Sequence, residues 1–164
     1  MSPGENRKHR TSPPESFRFA VRGFIAALLR ERNLYISWCM FLAVIWAAVY
    51  FQLTGGTLLA VLICCALVIS TELINTAFEV LVDLVSPDWN EQAGLVKDIA
   101  AGAVWFTALV SGVIGLIVFI PRLLKVGDYW PHAGSARAFS LLGLTVVLLA
   151  LAIVPGIAKS RRHD

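Results

Sequence analysis

Four polar side chains recur at helical spacing in the segment from Ser70 to Asp83: Glu72, Asn75, Glu79 and Asp83. Intervals of three, four and four residues put them on one face of an α-helix, where side chains at i, i+3 and i+4 stand above one another. The residues between them, including Leu73, Ile74, Phe78, Val80, Leu81 and Val82, are mostly apolar. Such a helix suits lipid everywhere except along one stripe. A charged side chain at the centre of a bilayer costs on the order of 2.5–3.5 kcal/mol by insertion scales, and like charges on one face repel. A divalent cation or a proton close to the carboxylates would offset both effects. The simpler alternative is helix–helix pairing, with Asn75 and one glutamate bonded to a neighbouring helix. That explains one polar residue better than it explains the full row.

Lys97 and Asp98 open the next apolar run, just ahead of the small residues Ala100, Ala101, Gly102 and Ala103 that let another helix approach closely. A lysine here can hold a phosphate as a point charge; taken alone, it reads as an interface cation reaching for water. Glu31 stands just before the first apolar run. Alone it reads as a solvated residue, although it is on the correct side to join the other acids. Together these parts suit phosphoryl transfer. That reaction needs a divalent ion on the phosphate oxygens, a cation for the developing charge, and a group that positions or deprotonates the attacking hydroxyl. The chain has no Gly-x-x-x-x-Gly-Lys-Ser/Thr loop and no kinase glycine loop, which excludes a soluble-type ATP fold. Acids in spans also mark ion paths, so a non-enzymatic transporter or helix-assembly subunit is the competing reading. Against transport, the acids lie at one membrane face and no inverted halves are visible.

The elements that must position these residues are membrane helices. Of 164 residues, 57% are hydrophobic and 15% charged, against about 25% charged in soluble domains. No Asp, Glu, Lys or Arg occurs from Asn33 to Thr71, from Ile99 to Pro121, or from Ala138 to Ala158. A span needs roughly 20 apolar residues, so the first run is two spans split by the turn-prone Gln52-Leu53-Thr54-Gly55-Gly56. Four spans are predicted: Leu34–Phe51, Thr57–Val82, Ile99–Ile120 and Phe139–Ile157. Arg and Lys cluster at both ends of the chain, which places both ends, and the loop between the second and third spans, in the cytoplasm. Because the basic residues flank apolar spans, no nucleic-acid partner is expected. Cys39, Cys64 and Cys65 read as small apolar residues inside spans. Residues 1–15 are polar and proline-containing and are expected to be disordered. From Ser16 to Arg32, Phe17, Ala20, Val21, Phe24, Ala27 and Leu28 follow helical spacing beside Arg18 and Arg22, predicting an amphipathic helix on the membrane surface.

Glu72-Leu-Ile-Asn75-Thr76-Ala77-Phe-Glu79-x-x-x-Asp83, followed by Lys97-Asp98-x-Ala100-Ala101-x-Ala103-Val104, resembles the signature of the bacterial diacylglycerol kinase/undecaprenol kinase family. Phe17-x-x-Ala20-x-x-Gly23 and Glu31-x-Asn33 match its pattern as well, and the likeness covers Ser16 to Leu123. The resemblance implies an all-α integral membrane kinase domain over residues 16–124, with an amphipathic surface helix and three spans. Residues 125–164 add a C-terminal span with a basic tail. It also implies a homotrimer among bilayer lipids, with sites at the cytoplasmic interface between subunits, taking ATP and a lipid alcohol. Glu72 would be the general base. Glu31 and Glu79 would hold Mg²⁺ beside the nucleotide, Asn75 would position the reacting groups, Lys97 would contact the phosphates, and Asp98 would help bind the nucleotide. Asp83 and the loop of Asp88, Trp89 and Asn90 would lie near the nucleotide. Asn90 stands where many members carry His, and Arg22 replaces a frequent Lys. The stretch Glu31-x-Asn33 and the loop at Pro87 look more like the undecaprenol-type members.

Overall fold

The computed structural model describes residues 12–88 and 90–129. Among these residues the chain is all helix: α1 Pro13–Arg30, α2 Arg32–Tyr50, α3 Gly55–Val85, α4 Glu91–Leu123 and the short α5 Val126–Tyr129. The expected span Phe139–Ile157, the tail before Ser12 and Trp89 lie outside the described residues.

α1 begins at Pro13, ahead of the expected Ser16. Pro13 and Pro14 occupy its first two positions, where a missing N–H costs nothing and the fixed φ suits the helix. The Ser12 backbone N–H donates to Glu15 Oε2 at 2.9 Å, so the acid three residues on closes the helix start. That bond holds the Glu15 carboxyl below its ordinary pKa. The helix breaks at one residue, Glu31, whose backbone is extended (φ −105°, ψ 118°). Its N–H still donates to the Ala27 carbonyl at 2.9 Å, while its own carbonyl accepts from Tyr35 N–H at 3.1 Å. Glu31 thus ends α1 and starts α2, and α1 turns away from the spans without losing backbone bonds.

The turn after α2 is also closed by backbone bonds. Leu53 N–H donates to the Ala48 carbonyl (2.9 Å) and Gln52 N–H to the Val49 carbonyl (3.1 Å). Between them Gln52 takes a left-handed conformation, φ 51°. This is a Schellman motif, and its usual apolar contact is present: Leu53 and Ala48 share a buried cluster with Val61 and Val118. Most natural examples place Gly at the left-handed position.

Three helices, α2, α3 and α4, are long and apolar enough to cross a membrane. α3 and α4 form the main pair, with α2 against α3 and α1 against α2. The edge of Phe24 on α1 meets Trp38 on α2 with centroids 5.1 Å apart. Little is buried within the single chain. Trp105, Phe106 and Ile117 on α4 are all more than 60% exposed, which suits contact with acyl chains or other protein rather than water.

Helix length sets the depth of the polar row. α3 has 31 residues and α4 has 33, so at 1.5 Å per residue they run about 46 and 50 Å. The hydrocarbon core is only about 30 Å thick. Both helices therefore outrun it, and the charge-free stretch of α3 from Gly55 to Thr71 is the part best suited to it. The row from Glu72 to Asp83 occupies the last turns of α3, at the end away from that stretch.

Candidate active site

The row on α3 faces the rest of the bundle. Glu72 is 7% exposed and Thr76, one turn on, is 5% exposed. Ser37 of α2 donates its hydroxyl to Glu72 Oε1 at 3.1 Å. One turn further, Asn75 Nδ2 donates to Glu79 Oε1 at 2.7 Å, within the row itself. The other amide atom, Asn75 Oδ1, is buried and has no hydrogen-bond partner among the described residues. Glu79 stands two turns beyond Glu72 on the same face of α3.

At the outer end of the row, Asp83 links three helices. Lys97 of α4 is ion-paired with its Oδ1, and Arg30 Nη2 of α1 lies 3.9 Å from its Oδ2. Arg30 also bonds Glu31, Nε to Oε1, at 3.3 Å. Lys97 therefore stands at the same end as the acids, as its place in the sequence predicts. Asp98, the next residue on α4, is exposed. Asp88 is exposed in the short link between α3 and α4, where its carbonyl accepts from the Ser86 hydroxyl at 3.2 Å. The side chain of Asn90 is engaged locally. Its Oδ1 accepts from Gln92 N–H (2.8 Å) and Ala93 N–H (3.4 Å) and so caps α4.

An apolar groove of about 450 Å³ runs between α2, α3 and α4, with Ser37, Met40, Cys64, Gly112 and Phe119 among its walls. On α4 its wall extends from Ala108 to Leu123, about 22 Å along the helix axis. Ser37 thus touches both the groove and the buried carboxylate.

Ser37 and Arg30 are not apparent as site residues in the sequence. Ser37 is a single small polar residue between Ile36 and Trp38, and only the rotation of α2 against α3 brings it to Glu72. Arg30 is one of several basic residues near the start of the first span.

Among the described residues no three His, Cys, Asp or Glu side chains are grouped to hold a metal unaided. Glu31 and Glu79 supply carboxylate oxygens, the donor type that a hard divalent ion takes together with substrate phosphates and water.

The sequence profile described as prokaryotic diacylglycerol kinase matches residues 18–119. The chain is 37% identical over 112 residues to a diacylglycerol kinase of Synechocystis sp., a match covering 68% of this chain and 64% of that protein. It is 34% identical over 109 residues to an undecaprenol kinase of Bacillus subtilis, covering 66% of this chain and 89% of that protein. The chain thus spans slightly less than two thirds of the Synechocystis relative's length. No solved structure gives a significant match. The profile match extends from α1 nearly to the end of α4 and includes every acid of the row together with Lys97, and on this ground the chain belongs to the prokaryotic diacylglycerol kinase family.

Proposed function

We propose that the protein transfers the γ-phosphate of ATP to the hydroxyl of a membrane lipid alcohol, diacylglycerol or undecaprenol, at the cytoplasmic membrane interface. The observation that carries this reading is the row of Glu72, Asn75, Glu79 and Asp83 along one face of α3, with Lys97 of α4 paired to Asp83 at one end of the row and, at the other, Ser37 of α2 joining Glu72 to a groove with apolar walls. A row of acids at the interface, against a groove that suits a hydrocarbon tail, fits a lipid kinase better than a transporter, whose acids belong nearer the bilayer midplane.

In this reading the tail of the acceptor lies in the groove and its hydroxyl reaches Glu72. Glu72 accepts the hydroxyl proton as the oxygen bonds to the γ-phosphorus and the bond to the β-phosphate oxygen breaks, releasing ADP. Asn75 orients Glu79 through its amide N–H and presents its unpartnered oxygen to the reacting groups. Lys97 turns from Asp83 to the phosphates. Glu31 and Glu79 would hold Mg²⁺, which would neutralise phosphate charge. Asp98 and the link of Asp88, Trp89 and Asn90 lie toward the nucleotide. α1, with Phe17, Val21 and Ile25 exposed alongside Arg18 and Arg22, lies on the membrane surface, its apolar side chains in the headgroup boundary. The apolar faces left open on α3 and α4 are covered by lipid and by neighbouring subunits of a homotrimer.

The test is radiolabelled ATP with Mg²⁺ and a panel of diacylglycerol, undecaprenol and ceramide in mixed micelles. Label should enter a lipid phosphate, and Glu72→Gln should abolish turnover while the protein stays folded. Near-normal turnover by that variant refutes the assignment of the base.

A further inference from the structure

Hydroxyl side chains in apolar helices usually turn back to a carbonyl three or four residues earlier. Thr71 does so, donating to the Leu67 and Val68 carbonyls at 2.9 and 3.0 Å, and Thr107 donates to the Ala103 carbonyl at 2.8 Å. Ser37 differs. Its hydroxyl crosses from α2 to α3 and donates to Glu72, the only buried ionisable side chain among the described residues. It also forms part of the groove wall.

We infer that Ser37 is a positioning residue for phosphoryl transfer: its hydroxyl fixes the Glu72 carboxylate in the orientation that meets an acceptor hydroxyl arriving along the groove. The inference rests on the proposed role of Glu72 as base. A carboxylate on a flexible side chain has several rotamers, and a base must lie within hydrogen-bond reach of the proton that it takes. Ser37 selects one of them by holding Oε1, which leaves Oε2 to receive the proton. The donor comes from another helix, so the relative rotation of α2 and α3 is built into the geometry of the base.

Full-length Ser37→Ala, Ser37→Thr and Glu72→Gln are assayed in mixed micelles with Mg·ATP and, separately, diacylglycerol and undecaprenol, with thermal unfolding followed in parallel. Alanine is a good helix former, so α2 keeps its structure. Ser37→Ala should lower kcat about tenfold, as expected for losing a hydrogen bond to a charged group, with both KM values nearly unchanged. Ser37→Thr, which keeps a donor, should recover most of that loss. A serine that only packs the helices would lower the unfolding temperature without a selective fall in kcat. With Glu72→Gln inactive, the inference is overturned by a normal kcat in Ser37→Ala, by a loss confined to the lipid KM, or by failure of threonine to restore the rate. Normal turnover by Glu72→Gln removes the base assignment itself and the role of Ser37 with it.

Discussion

Asp83 is paired with Lys97, the lysine that contacts the nucleotide phosphates in the proposed reading, so neutralising it should tighten ATP binding. Its two oxygens face Lys97 of α4 and Arg30 of α1. The side chains of Asp83 and Lys97 are 53% and 36% exposed, so water and salt screen the pair. Exposed pairs of this kind contribute about 0.2–1 kcal/mol. Asp83→Asn preserves the shape of the side chain and removes its charge. Freeing Lys97 should then lower the KM for ATP by about 1.5- to 5-fold, since 1.4 kcal/mol corresponds to tenfold. The same range bounds the loss of stability for each of the two pairs, so the variant should stay folded. The assay is initial rate against ATP concentration at saturating lipid, first at low ionic strength and then near 1 M salt, where the Debye length is about 3 Å. The gain should be clear at low salt and shrink at high salt. A higher KM for ATP in Asp83→Asn, or a gain insensitive to salt, would refute the reasoning and make Asp83 a direct contact of the nucleotide.

Further outcomes are expected elsewhere in the site. Glu79→Gln leaves an acceptor for the Asn75 amide but removes a charge, so half-maximal activity should need at least about tenfold more Mg²⁺; an unchanged Mg²⁺ titration argues against the ligand role. Asn90→Ala removes the cap of α4 and should cost about 1 kcal/mol of stability, read as an earlier unfolding midpoint, whereas Asn90→Ser should retain most of it. At the opposite end, Gln52→Val places a β-branched residue in the left-handed position of the turn and should be less stable than Gln52→Gly by about 1–2 kcal/mol. Gln52→Gly should be tolerated, and equal unfolding midpoints for the two variants would refute the strain argument.

The sequence revealed the helices through where charge is missing. The uncharged run from Asn33 to Thr71, broken at Gln52 to Gly56, locates α2, the turn and most of α3. Spacing alone puts Glu72, Asn75, Glu79 and Asp83 on one face. Helix ends were less legible. The prolines at positions 13 and 14 fall in the stretch read as disordered yet begin α1, because the first helical turn has no use for their missing N–H groups. Asn90 read as a departure from the family's loop, and its side chain caps α4. The least legible features were contacts between helices. Ser37 on Glu72, and Arg30 on Asp83, depend on how neighbouring helices are rotated against each other, and no periodicity within one helix contains that angle.

The overhang of α3 and α4 beyond the hydrocarbon has a kinetic consequence. Under the proposed reading, one reactant reaches the site from bulk water in three dimensions and the other by lateral diffusion within a sheet. Neither has to change phase to react. The rate should then follow the mole fraction of lipid alcohol in the micelle or bilayer, not its amount per volume of buffer. Adding inert detergent at constant total lipid should slow the reaction by dilution in the plane, while leaving the saturation curve for the water-soluble partner in place.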